Sequence, residues 1–146
     1  MGTTTETYTY YGDGARRSAA TGSQANKTTK FIWDRNFELP QIALERSGND
    51  ALLRTYAYGL DLLSQKAGNK TFYYHHDGLG SVADVTGSTG TSLILEEYYP
   101  YGLVRQGGSG TGAPTNPFNF TGEQFDTVTG FYHLRARQYD PGTGAS

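Results

Sequence analysis

Five times in the first 101 residues two aromatic residues stand two positions apart: Tyr8-Thr9-Tyr10, Phe31-Ile32-Trp33, Tyr56-Ala57-Tyr58, Phe72-Tyr73-Tyr74 and Tyr99-Pro100-Tyr101. In an extended strand, residues i and i+2 point to the same face, so each pair puts two rings side by side on one side of a sheet. Turn-forming residues follow each pair: Gly12-Asp13-Gly14, Asp34-Arg35-Asn36, Gly59-Leu60-Asp61, Asp77-Gly78-Leu79-Gly80 and Gly102-Leu103. The repeating unit is therefore an aromatic strand, a turn and a return strand. Tyr10, Trp33, Tyr58, Tyr74 and Tyr101 lie 23, 25, 16 and 27 residues apart. A loose period of about 20–25 residues marks a repeat architecture in which each unit completes its neighbour's core.

Composition agrees with a sheet. The 146 residues include 20 Gly, 12 Tyr and 7 Phe, and only 18% are charged. Tyr and Phe suit a pleated, half-buried surface, and Gly and Asn supply the turns. The best helical stretch, Phe37 to Arg46, carries Pro40 in its interior and reads as an extended segment followed by a short turn. The length fits a single β domain over residues 1–146. Twelve basic residues against 14 acidic ones give a net charge of -2 without a basic run, which argues against nucleic acid as a partner. The absence of cysteine removes disulfide scaffolds, thiolate metal sites and cysteine nucleophiles. No segment is apolar and long enough to span a bilayer as a helix, and MGTTTETY does not read as a signal peptide.

With those units in place the sequence resembles a known family. TYTYYGDGARR (7–17) and RTYAYGLDLLSQ (54–65) resemble the tyrosine-aspartate (YD) repeats of RHS proteins. The stretch FYYHHDGLGSVADVTGSTG (72–90), then EEYYPYG (96–102), then NPFNFTGEQFDTVTGFYHLRARQYDPGTG (116–144) resembles the RHS repeat-associated core domain in order and spacing. Residues 1–71, including FIWDRNFELPQIALE (31–45), resemble the YD-like repeats that precede that core, and 72–144 resemble the core segment itself.

The resemblance implies an all-β fold in which strand-turn-strand units form part of a spiralling β-sheet shell. In bacterial toxin relatives that shell encloses a C-terminal polypeptide, and in the teneurins a similar shell belongs to a cell-adhesion receptor. It also implies a parent protein that is secreted or at the cell surface. Toxin-type members continue after the YDPxTG motif with an arginine-phenylalanine pair and Asp-Pro motifs whose aspartates release the downstream polypeptide. Here Tyr139-Asp140-Pro141-Gly142-Thr143-Gly144 matches the first stretch, Ala145-Ser146 stand where Arg-Phe would follow, and both catalytic aspartates are missing. Arg137 matches the arginine that assists that cleavage; without its partners it reads as structural. Met1 directly before repeat sequence and an end short of the cleavage motif lead us to expect a fragment.

Other candidate sites weigh less. His75-His76-Asp77 offers metal-ligand types, but adjacent strand residues face opposite sides. His133 sits in an alternating strand pattern as a packed or surface residue. Gly107 to Gly112 lacks the Lys-Ser/Thr of a phosphate-binding loop and reads as a flexible hairpin insertion. Glu96 and Glu97 are neighbours on opposite faces, and Asp126 is placed to cap its own turn, so no convergent carboxylate pair is legible. Asn26, Asn69 and Asn119 match the glycosylation acceptor pattern but are also ordinary turn residues.

The expectation is a structural module of a shell that encapsulates or presents a downstream polypeptide, with no catalytic residues, cofactor or metal, and no enzymatic activity of its own. Its expected partners are neighbouring repeats, the downstream polypeptide, and further copies through unpaired edge strands. The alternatives are a remnant of a self-cleaving aspartyl protease core, or an adhesion or carbohydrate-binding module.

Overall fold

The computed structural model describes residues 5–22 and 27–146, and within them the chain is all-β. It divides into two compact units, residues 1–56 and 57–146, at a boundary of compactness rather than of motif.

The first unit is an antiparallel meander of β1 (Glu6–Tyr10), β2 (Arg16–Thr21), β3 (Thr28–Asp34), β4 (Gln41–Ser47) and β5 (Leu52–Tyr58), the last strand running past the boundary. Tyr8 and Tyr10 lie on β1, Phe31 and Trp33 on β3, and Tyr56 and Tyr58 on β5, as the aromatic spacing predicts. Residues 37–46 contain a turn followed by a strand, not the reverse: residues 36–39 bend, and Pro40 precedes β4 without blocking a ladder hydrogen bond. Phe31, Ile42 and Ala15 are buried, and Trp33 reaches across to donate its indole Nε1–H to the Arg16 carbonyl at 2.8 Å.

The second unit continues the pattern with β6 (Leu62–Ala67), β7 (Lys70–His76), β8 (Val82–Gly87), β9 (Ser92–Tyr98) and β10 (Val104–Ser109), followed by a three-stranded antiparallel sheet of β11 (Gln124–Asp126), β12 (Phe131–Leu134) and β13 (Arg137–Tyr139). Phe72 and Tyr74 share the inner face of β7, while Tyr73 and His75 face outward. Tyr99-Pro100-Tyr101 departs from the expected strand and forms the β9–β10 turn, closed by Gly102 N–H on the Tyr99 carbonyl at 2.9 Å. Proline cannot donate to a ladder, and Gly102 at φ +89° supplies the left-handed corner. The glycines expected in a flexible insertion are likewise placed differently, for Gly107 and Gly108 belong to β10 and the turn begins at Gly110. Val82 and Val85 are fully buried, together with Leu62, Phe72, Tyr74, Ile94, Phe118 and Tyr132. Each such side chain contributes about 1.5–3 kcal/mol by leaving water.

Candidate functional site

After β10 the chain turns at Gly110–Ala113 and crosses the inner face of the second unit's sheet strand by strand. Gln65 of β6 donates its Nε2–H to the Thr115 carbonyl at 3.2 Å. The Tyr74 hydroxyl of β7 faces Gln65 Oε1 at 2.9 Å and Asn116 Oδ1 at 3.1 Å. Asn116 in turn donates to the Phe118 carbonyl at 2.7 Å and accepts the Phe118 N–H at 3.0 Å. At β8, Val82 N–H bonds the Asn119 carbonyl and Ser81 Oγ accepts the Thr121 N–H, both at 3.0 Å. Gln65 and Ser81 are polar yet almost fully buried, and burying them is tolerable because each finds a partner on the crossing segment.

Two hairpin turns form the seat for the rest of the segment. In the β7–β8 turn, Asp77 Oδ1 accepts the N–H groups of Leu79 at 2.8 Å and Ser81 at 2.9 Å, so the carboxylate fixes the corner. In the β9–β10 turn, the absence of a side chain at Gly102 admits the Phe120 ring: a Cβ there would stand 2.6 Å from it. The Tyr132 hydroxyl donates to the Gly102 carbonyl at 3.0 Å, and that of Tyr139 to the Tyr101 carbonyl at 2.9 Å. Rings continue the contact from Tyr98 to Phe120 (5.8 Å between centroids), Phe120 to Tyr132 (6.1 Å) and Tyr132 to Phe125 (4.9 Å), all tilted, in the range favoured by aromatic pairs. Burial pushes the Tyr132 hydroxyl up to about 12. Burial, reinforced by the Glu96 carboxylate at 2.6 Å, likewise raises Tyr98, which keeps both phenols protonated as donors.

The first unit buries a charge. Glu45, 2% exposed, receives the Tyr56 hydroxyl at 2.6 Å on Oε1 and pairs with Arg54 Nη1 at 3.0 Å through Oε2. Desolvation raises its carboxyl above the ordinary value against the opposing pull of Arg54 and Tyr56. At the β1–β2 turn, Arg35 pairs with Asp13 at 2.9 Å and stacks over Tyr11 at 5.1 Å, and Arg16 lies 4.4 Å over the Tyr8 ring.

The candidate residues read from sequence are spread through the molecule. His75 faces outward to Thr86, whereas His76 faces the carbonyls of Leu62 at 2.8 Å and Gly80 at 3.1 Å, so the two rings do not converge. His133 is buried on β12 opposite Gln124 and Gln138, and Arg137 is exposed on β13. Glu97 pairs with Arg105, while Glu96 engages Tyr98. Asp126 Oδ1 caps its own turn through Val128 and Thr129 N–H, and Asp140 does the same for Gly142. Asn69 is exposed in a turn, Asn119 is buried and unsuited to carry a glycan, and Asn26 lies outside the described residues. The residues that organise the seam, Gln65, Tyr74 and Asn116, did not stand out in the sequence as a group. Their one visible signal is a Gln at an inward strand position and an Asn-Pro immediately before a buried Phe.

Comparisons with known proteins agree with this architecture. The family model described as Teneurin YD-shell matches residues 3–145. The tRNA3(Ser)-specific nuclease WapA of Bacillus spizizenii is 29% identical over 105 residues, 70% of this chain and 4% of that protein. The crystal structure of TcdB2-TccC3-TEV superposes on 99% of this chain and 8% of its own with a TM-score of 0.70 at 23% identity, and so speaks to the fold. That of TcdB2-TccC3 without its hypervariable C-terminal region covers 95% of this chain and 7% of its own, with a TM-score of 0.65 at 27% identity. The chain thus spans less than a tenth of each of these relatives. Among the described residues no helix is long and apolar enough to cross a membrane, which leaves strands unaddressed.

Proposed function

Since the chain belongs to the Teneurin YD-shell family, we propose that it is a wall module of a secreted or cell-surface shell, which encapsulates or presents a downstream toxin-type polypeptide and performs no turnover of its own. The observation that carries this reading is the crossing segment seated on β6–β10 by the Gln65–Tyr74–Asn116 network and the Phe120–Gly102 contact. It covers the inner face of the second unit's sheet with its own polar and aromatic groups. A wall needs such a sealed inner surface, because a polypeptide held inside it must not find unsatisfied strand or side-chain partners. The nuclease named in the WapA relative and the hypervariable C-terminal region named for the TcdB2-TccC3 structure support the cargo reading, since in both this stretch is a small part of a much longer chain.

The module's partners are then neighbouring repeats, which add strands along β1 and β10. Each of these pairs on one side only among the described residues, and every residue of β10 is exposed. The isolated chain uses the same edges to bind further copies of itself.

The test is replacement. Exchanging the matching stretch of the TcdB2-TccC3 shell for residues 1–146, and treating the product with protease, should leave the C-terminal polypeptide as protected as in the parent. Digestion of that polypeptide in a chimera that still purifies as an intact, sheet-rich assembly would overturn the wall assignment.

A further inference from the structure

Antiparallel hairpins place alternate turns at opposite ends of their strands, so the second unit's meander has two rims. One rim carries the turns Gly59–Asp61, Asp77–Gly80 and Tyr99–Gly102, from which Leu60 (104% exposed), Leu79 (72%) and Tyr101 (67%) project into solvent. The other carries Gly68-Asn69, Ser88-Thr89-Gly90 and Gly110–Ala113, which are small and polar apart from Ala113. In the first unit Phe37 and Leu39 are exposed at the β3–β4 turn, while Gly48-Asn49-Asp50 at the β4–β5 turn leads into the exposed Leu52. Within the second unit's turns, exposed leucines and aromatics recur at one rim only, which is not the scatter expected of a solvent surface.

The opposite rim has the complementary shape. Between its β6–β7 and β8–β9 turns lies a groove of about 410 Å³, lined among others by Phe72, Tyr73, Leu93, Asn69, Lys70 and Ser88. That volume lies within the range that takes a small ligand, so one Leu or Tyr side chain fits. Neighbouring strands are about 4.8 Å apart, so turns on either rim recur every ~9.6 Å, and the two rims share one period. Charge is complementary as well: Asp61 and Asp77 flank the apolar rim, and the exposed Lys70 flanks the groove. Asp61 and the β7–β8 turn are adjacent, since a Cβ on Gly80 would lie 3.9 Å from Asp61 Oδ1.

We infer that a second copy of this chain docks head to tail on this unit, the Leu60, Leu79 and Tyr101 rim of one copy entering the groove rim of the next, with Lys70 set against Asp61. The contact joins two different surfaces, so it is heterologous and propagates as an open stack instead of closing as a dimer. It is separate from edge-strand pairing, which uses backbone groups of β1 and β10.

Sedimentation velocity of the full chain over a concentration series tests this. The average mass should climb above 15.9 kDa without a plateau. The double variant Leu60→Asn, Leu79→Asn, made together with Gly108→Lys so that edge pairing along β10 is also blocked, should return it to the single-chain mass. Lys70→Glu should move the series to about two- to fivefold higher concentration, the effect expected of one exposed ion pair, and adding Asp61→Lys should move it back. These positions are exposed, so far-UV circular dichroism should stay that of the parent. Gly108→Lys, on the open edge of β10 where a Cβ meets nothing within 4 Å, should leave the stack in place. A single-chain mass throughout, a rim variant indistinguishable from the parent, or loss of assembly with Gly108→Lys alone would each overturn the inference, the last leaving the wall assignment intact. Co-sedimentation of a single-chain species with phosphatidylcholine vesicles, abolished by the rim variant, would overturn it in favour of a lipid surface.

Discussion

Glu45 is a carboxylate that the fold holds out of water between a guanidinium and a phenol. Its folded value lies above its unfolded one because desolvation outweighs both partners. The stability linked to its proton is therefore fully present below the unfolded value, near 4.5, and is lost as pH rises through the folded value. Asp13 and Asp50 run the other way. Hydrogen bonds to the Ala15 N–H and to Lys30, respectively, lower them, and their contribution is present above the unfolded value and lost as pH falls. Subtracting the urea midpoints of Glu45→Gln from those of the parent cancels the two aspartates. The difference should drift against the parent as pH rises above about 4.5; a flat difference contradicts the assignment. Tyr74→Phe makes a second prediction at this scale. It leaves Gln65 Oε1 and Asn116 Oδ1 without the shared hydroxyl proton, and should cost about 1–3 kcal/mol in chemical denaturation.

Among the elements, the β9–β10 turn shows how backbone freedom and packing combine. Gly102→Ala meets both a left-handed φ and the Phe120 ring, and should cost about 1–3 kcal/mol for the backbone alone, with more for the clash. Gly78→Ala, at ordinary φ with open space around its Cβ, should change the thermal midpoint little; equal losses at the two positions would remove Phe120 seating as the cause. The strands were legible because paired aromatics at i and i+2 report a local property, the face of a strand, and four of the five pairs fall on β1, β3, β5 and β7. The fifth misled for a local reason as well, since Pro100 between two tyrosines keeps the aromatic spacing while breaking the ladder. The seam was not legible because its contacts are distant in sequence: Gln65 meets Thr115 across 50 residues, and Tyr74 meets Asn116 across 42. No spacing rule encodes such a meeting. The family resemblance supplied the architecture, while the residues that close the inner face emerged only from the three-dimensional arrangement.

At the scale of the whole molecule, residues 110–146 are locked on the sheet of the second unit and are not a tail beside it. Native-state hydrogen exchange tests this most directly, because protection reports the free energy of opening at individual amides. Val82 N–H bonds the Asn119 carbonyl and Phe125 N–H bonds the Pro117 carbonyl, so one reports the seam and the other the crossing segment itself. Both should exchange as slowly as the amide of the fully buried Val85, and Tyr74→Phe should speed the Phe125 amide more than that of Val85. Exchange of Phe125 and its neighbours at the unprotected rate, with β7 to β9 still protected, would show that the segment is not seated and that the inner face is open.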